Sequence, residues 1–351
     1  MQWIRALVGR ITHAPAGLPV GAFALAFAGS FLYFSLVDDD GRGDVLAPAS
    51  GSDGRVDAPT RADQNDARRG RSAAGSLVVT FSVAADEPGN GYLARVALDG
   101  SVAHVLLEPP HDGGQASNAS PAVSPDGTTV AFQRAVAGPS GAFPPFIHVM
   151  RLDGSRAERR LTHGRAAEVD PAWSPDGTRI VFSREVDGRF DLFVGTFDGS
   201  ALTRLTRTRD FDELAPAWSP DGSRIAFERV ERVVQHGSGD LLLANADGTG
   251  ERLLLGDQHD YSSPAWSPDG RRLALVRDGQ LAVMGVDAAT PRPLIGATGA
   301  MKVRPSWSPD GTRIAFIREP GSIVIVAADG SHAVRVPLDK PATAAVWEPT
   351  P

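Results

Sequence analysis

The stretch Pro171–Phe182, PAWSPDGTRIVF, decides the fold, because the chain repeats it. It returns as PAWSPDGSRIAF at Pro216–Phe227, PAWSPDGRRLAL at Pro264–Leu275 and PSWSPDGTRIAF at Pro305–Phe316. A looser copy, PAVSPDGTTVAF, stands at Pro121–Phe132. The copies lie about 41 to 50 residues apart, a period that belongs to repeat architectures. In each copy, Ser-Pro-Asp-Gly separates two runs of alternating apolar residues. Proline presets the second position of a turn, Asp suits the third, and glycine accepts the left-handed conformation that follows. The tetrapeptide predicts a tight hairpin.

Working outward, the repeat beginning at Asp170 predicts four strands, over 170–174, 178–184, 190–197 and 201–206. A second turn separates the third and fourth runs, at Asp99-Gly100, Asp153-Gly154, Asp198-Gly199, Asp247-Gly248, Asp287-Ala288 and Asp329-Gly330. That makes six second turns against five Ser-Pro-Asp-Gly hairpins. The two ends of the repeat region explain the difference. Leu77–Ser82 reads as a second strand with no first, and Ala344–Pro349, carrying Trp347, reads as a first strand with no second. Joined, they complete one composite blade. Residues 77–349 then hold about six units of about 45 residues, the size of a four-stranded propeller blade. The expected architecture is all-β: a six-bladed propeller closed by its C-terminal strand, which removes the open sheet edges of a linear array.

Ahead of the repeats, Arg5 and Arg10 precede an uncharged run, Gly17–Val37, that ends at Asp38, Asp39 and Asp40. Twenty-one residues at 1.5 Å each reach across about one bilayer core. The arginines on one side place residues 1–16 in the cytoplasm and everything after residue 37 outside. The expectation is one transmembrane signal anchor over 17–37. A cleaved signal peptide ending near Ala26-Phe27-Ala28 and a buried helix are the alternatives. Residues 38–75 are rich in Asp, Arg, Gly, Ala and Ser without apolar periodicity, so they read as a disordered linker to a folded domain over 76–351. Arg42-Gly43-Asp44 within it reads as a chance tripeptide of that composition.

A net charge of −7 and no evident basic surface argue against nucleic acid as a partner. The chain has no cysteine, which excludes disulfides, thiolate metal sites and cysteine nucleophiles. Trp173, Trp218, Trp266, Trp307 and Trp347 share one repeat position, where the first copy has Val123. Their expected place is the wedge between blades. The aspartates of the five hairpins are expected to bond their own turns.

These residues resemble the TolB-type β-propeller repeat, whose signature is P-x-W-S-P-D-G followed by an apolar strand. The resemblance covers residues 77–349. It implies a six-bladed propeller, and for TolB itself a periplasmic protein that binds a lipoprotein and other envelope partners. The α/β domain that TolB carries before its propeller has no counterpart in residues 38–75. Related propellers precede the hydrolase domain of prolyl-oligopeptidase-like enzymes, but there is no G-x-S-x-G elbow here. Oligogalacturonate lyases use similar repeats with a histidine-based metal site.

Candidate site residues follow from topology. In an up-and-down blade, both short turn types share one face, and the other face carries the second-to-third connections and the passages between blades. On that variable face the longest stretches are 83–91, 133–144 and 228–238. Binding on repeat arrays concentrates where the copies are elaborated. Three residues before each repeat proline stand Asn118, Glu168, Glu213, Tyr261 and Lys302, with Ala342 in the composite blade. Asp170 and Arg304 lie two residues further in, and Asp212 and Asp260 just outside. Together these are expected to ring the mouth of the central channel. The histidines His104, His111, His148, His163, His236, His259 and His332 show no local metal-ligand spacing, and no cofactor motif is present. The reading is a membrane-anchored, extracytoplasmic scaffold that binds a protein or peptide in the cell envelope through its variable face. A ligand- or glycan-sensing propeller and a lyase or hydrolase with a composite histidine site are the alternatives.

Overall fold

The computed structural model describes residues 25–27, 30–32, 75–82, 91–108, 116–138, 141–142, 144–153, 155, 157–231, 239–288, 290–295, 304–318 and 321–349. The chain divides into two units, residues 1–54 and 55–351. In the first, Leu25–Phe27 pairs antiparallel with Ser30–Leu32. These six residues lie inside the span expected as a membrane helix and are extended. The rest of 17–37, all of 1–16 and the linker up to residue 74 lie outside the described residues. No described helix is long and apolar enough to cross a membrane.

The second unit is an all-β propeller of six blades. In chain order, blade I joins Ala342–Trp347 to Ser76–Ser82, Gly91–Ala97 and Val102–Leu107. Blade II holds Ala116–Val123, Thr129–Gly138, Phe146–Arg151 and Glu158–Arg160. Blade III holds Glu168–Trp173, Arg179–Val186, Arg189–Thr196 and Leu202–Arg204. Blade IV holds Phe211–Trp218, Arg224–Glu231, Gly239–Asn245 and Arg252–Leu255. Blade V holds Tyr261–Trp266, Arg272–Arg277, Gln280–Gly285 and Arg292–Ile295. Blade VI holds Ser306–Trp307, Arg313–Arg318, Ser322–Ala327 and Val334–Arg335.

Blade I closes the ring as the two chain ends require. Trp347 pairs with Leu77 and Ala342 with Phe81. Beyond the strand, the Glu348 backbone N–H donates to Ser76 O at 3.0 Å, and its carboxylate accepts from Arg95 Nε at 2.8 Å and from the Ser76 hydroxyl. Each Ser-Pro-Asp-Gly hairpin satisfies its own polar groups. In blade III, Ser174 Oγ donates to Asp176 Oδ1 at 2.5 Å, Thr178 N–H donates to the same oxygen at 3.0 Å, and Arg179 N–H donates to Ser174 Oγ at 3.0 Å. These bonds hold Asp176, Asp221 and Asp310 down at about 2, the serine hydroxyl contributing most. Gly177 sits at a φ of 69°, which a β-carbon would strain.

The cores lie between blades, because each sheet is apolar on both faces. Trp218 packs with Val181 and Phe227 at the III–IV seam, and Trp173 with Ala131 and Phe182 at the II–III seam. The indole N–H groups of Trp173, Trp266 and Trp307 donate backwards to the carbonyls of Ala122, Ala217 and Ala265, at 3.0, 3.2 and 3.1 Å. The tryptophans therefore fill the wedges, as their repeat position implies. One expectation changes: 133–138 and 228–231, read as loop, extend the second strands of blades II and IV. In blade II, Gly138 pairs with Gly141 to fold the extension back on itself.

Candidate functional site

The inner strands of blades I to V break their pairing near the start of the repeat, between Ala119 and Ala122, Val169 and Ala172, Leu214 and Ala217, Ser262 and Ala265, and Ala342 and Ala344. Each break is a β-bulge, one residue extra on the inner strand, and a bulge re-aims the side chains around it. The residue before the repeat proline takes a left-handed conformation there: Ser120 at 50°, Asp170 at 60°, Ala215 at 49° and Ser263 at 53°. Non-glycine residues adopt this at a cost of about 1 kcal/mol or more each, so the surrounding fold must enforce it.

The bulge splits the candidate residues into two sets. Asp170, in the left-handed set, points across the ring. Its Oδ1 accepts from Ser120 Oγ of blade II at 3.1 Å and pairs with Arg304, at the entry to blade VI, at 2.7 Å. Its Oδ2 accepts from the Ala215 N–H of blade IV at 3.2 Å. Blades III and VI face each other in a six-membered ring, so the Asp170–Arg304 pair crosses the axis. The carboxylate is buried, whereas Arg304 is 29% exposed and looks out toward solvent.

The residues two positions earlier point back into the seams. Glu168, fully buried, accepts from the Thr162 hydroxyl and from Ile147 N–H at 3.4 Å, with Arg184 at 3.8 Å. Glu213, equally buried, accepts from Thr208 at 2.6 Å, Thr206 at 3.1 Å and Arg229 at 3.1 Å. Asn118 donates to Gly91 O at 2.6 Å and accepts from Arg134 at 3.3 Å, and buried Tyr261 donates to Asp257 at 3.3 Å. The expected open ring at the mouth therefore does not form from Asn118, Glu168, Glu213 and Tyr261. Their side chains are buried between blades, because the bulge turns the neighbouring position toward the axis instead. Burial pushes the Glu168 and Glu213 carboxyls upward, against the hydroxyl and arginine partners that favour the charged form. In blades II to V an arginine stands directly opposite this position in the next strand: Arg134, Arg184, Arg229 and Arg277. That repeat signal was present in the sequence but silent until the register was known.

Asp212 and Asp260 act as latches. Asp212 Oδ1 accepts from Phe190 N–H of blade III at 2.8 Å, and Asp260 Oδ1 from Gly239 N–H of blade IV at 2.8 Å. Each caps an N–H at the start of the preceding blade's third strand, the second residue in blade III and the first in blade IV. Lys302 lies outside the described residues. Of the described candidates, Asp260 and Arg304 keep partial access to solvent.

Around this centre the variable face differs from blade to blade. In blades III and V the second and third strands join through two-residue turns, Asp187-Gly188 and Asp278-Gly279, with both residues at positive φ. Asp278 is tied to His259 Nδ1 at 2.6 Å and to Asp260 N–H at 3.0 Å. Residues 83–90, 109–115, 232–238 and 296–303 lie outside the described residues. Among the described residues, no three His, Asp or Glu side chains stand close enough to hold a metal ion. His148 is set inside blade II beside Arg134 and Arg160, and burial first and those charges second lower it to about 4.

The profile of one family, described as the TolB beta propeller domain, matches residues 111–232 and 211–338. No curated protein matches the chain by sequence. Among solved structures, TolB from Acinetobacter baumannii is similar, with a TM-score of 0.64 and 19% identity over 79% of this chain and 67% of that one. The putative TolB from Agrobacterium tumefaciens gives 0.56 and 17% over 80% of this chain and 100% of that one. A chain of the nidogen/laminin complex gives 0.61 and 12% over 78% and 98%. At these identities the likeness is one of fold.

Proposed function

Because this chain belongs to the TolB β-propeller domain family, we propose that it is a binding scaffold for a protein or peptide, docked on the variable face. One observation carries this reading. The hairpin face repeats nearly the same turn five times with its polar groups satisfied internally, while on the other face the second-to-third connections differ between blades, from two-residue turns in blades III and V to the folded-back strand extension of blade II. A scaffold evolves its contacts where its copies differ. The Asp170–Arg304 pair supports docking over the mouth rather than passage through the channel, since it lies across the axis at the level of the bulges. The partner would meet Arg304, Asp260 and the turn tips at Asp187 and Asp278.

We propose further that the propeller is extracytoplasmic and held at the membrane by its N-terminal apolar segment. This rests on the uncharged run at 17–37 with arginines before it and three aspartates after it.

The test uses the full chain in its native membrane, with a photo-reactive residue placed at Asp187 or at Asp278. A discrete crosslinked protein is expected from both positions, lost when Arg304 is replaced by Glu. Crosslinking that is absent, or indifferent to Arg304→Glu, refutes docking on this face.

A further inference from the structure

Four seams of the propeller share a contact that the fifth tryptophan lacks. The arginine that follows each Ser-Pro-Asp-Gly turn lies over the indole of the next blade. Arg179 covers Trp218 at 4.9 Å, Arg224 covers Trp266 at 5.1 Å, Arg272 covers Trp307 at 4.7 Å and Arg313 covers Trp347 at 4.8 Å. A guanidinium on an indole face is held by the ring quadrupole and by dispersion. At the I–II seam both members are missing together, with Ser76 in the arginine place and Val123 in the tryptophan place. Only at the II–III seam is the pair broken on one side. Trp173 is kept, but blade II supplies Thr129 where the others supply arginine.

Beside this place a cleft of about 840 Å³ opens on the hairpin face between blades II and III, with Trp173, 9% exposed, in its wall. Thr129, Trp173, Phe197 and Met150 form its apolar wall, and Asp126 and Asp176 of the two neighbouring turns stand at its rim. Phe197 fills part of the missing volume, 5.1 Å from the Trp173 ring, where blade IV has only Ala246. Arg159 rests on Phe197 at 4.9 Å and not on the indole. Arg151, also in the wall, is engaged by Asp153 at 2.7 Å. Asp126 keeps the place beside the gap that Asp176 holds beside Arg179, 3.9 Å away.

We propose that this cleft is a second binding site, and that it receives the arginine side chain of a partner protein in the place that the chain's own arginines fill at the other four seams. The occupant is defined by chemistry. It must be a planar cation thin enough to enter between the blades, on a stem long enough to pass the two aspartate turns. A guanidinium meets both conditions, and a compact, strongly hydrated ammonium suits an indole face less well. The site is on the face opposite the proposed docking surface, so the two readings stand or fall separately.

The experiment is a titration of the full chain with arginine amide, followed by the indole N–H resonances in NMR, with lysine amide as comparator. The Trp173 resonance, assigned by its loss in Trp173→Phe, is expected to shift saturably with arginine amide and at least tenfold more weakly with lysine amide. Thr129→Arg supplies the missing arginine from the chain itself and is expected to weaken the response at least tenfold. An unchanged Trp173 resonance in the wild-type chain overturns the proposal, and so does an equal response in Thr129→Arg. If Thr129→Arg does not fold, the wild-type titration alone decides, since a shift spread over all the indoles would mark non-specific contact. If sedimentation shows that Thr129→Arg dissolves a dimer, the arginine comes from a second copy and the assignment to a partner fails.

Discussion

Replacing Asp170 with alanine should weaken the propeller more than any other single change at its centre. The carboxylate is buried and serves three blades besides its own, through Ser120, Ala215 and Arg304. Removing it leaves the Ala215 N–H and the Ser120 hydroxyl, both buried, without this acceptor. An unsatisfied buried donor costs about 1–3 kcal/mol. Arg304 retains water access, so its loss adds less than the 3–5 kcal/mol of a fully buried broken pair. Alanine must also adopt a φ of 60°, where Asp and Asn are better tolerated. Together these give about 3–5 kcal/mol for Asp170→Ala and about 1–2 kcal/mol for Asp170→Asn, which keeps an acceptor and the backbone preference. Urea unfolding of the full chain, followed by tryptophan emission, measures both. The decisive quantity is the coupling between Asp170→Ala and Arg304→Met in a double-mutant cycle. Residues in direct contact couple by at least about 0.5 kcal/mol, whereas separate sites add within that margin. Strict additivity, or an Asp170→Ala cost below about 1 kcal/mol, would refute a pair that staples opposite blades across the axis.

Deleting residues 344–351 removes most of the inner strand of blade I, with buried Trp347, and bares the edge of Ser76–Ser82. The expected outcome is aggregation in size-exclusion chromatography and a lost thermal transition; unchanged unfolding would contradict the composite blade. His148 makes stability depend on pH. Its folded pKa, about 4, lies below the unfolded 6.5, so the unfolded chain binds the proton first and stability falls as pH drops from about 6.5 to about 4. The partly exposed ring keeps the loss below about 3 kcal/mol; raised Glu168 and Glu213 act in the opposite direction near the carboxylate range. Thermal scans of His148→Gln should show a flatter profile in that window, and an identical slope would remove His148 as its cause. Deleting residues 1–37 should move the chain from the membrane pellet to the soluble fraction; retention in the pellet would count against the tether.

The number of blades, the hairpin turns and the composite closure were legible in the sequence, because each is set by local chemistry repeated at a fixed period. Ser-Pro-Asp-Gly makes the same turn wherever it stands, and Trp347 without a following strand demands Leu77–Ser82 as its partner. The direction of the side chains at the inner strand was not legible. Counting residues back from the proline put Glu168, Glu213 and Asp170 alike at the mouth, but the bulge inserts one residue, so Asp170 faces the axis while Glu168 and Glu213 turn into the seams. A shift of one position exchanges a buried seam for the channel, and nothing in the local sequence PAW or SPDG announces it. The Asp170–Arg304 pair joins residues far apart in the chain, and only ring closure brings blade III opposite blade VI. The cleft at Trp173 has the same origin. Thr129 is an unremarked variation within its own repeat, and it becomes a gap only because each arginine serves the tryptophan of the next blade. Periodicity in the chain determines what every blade has in common, whereas contacts between blades decide which differences become sites.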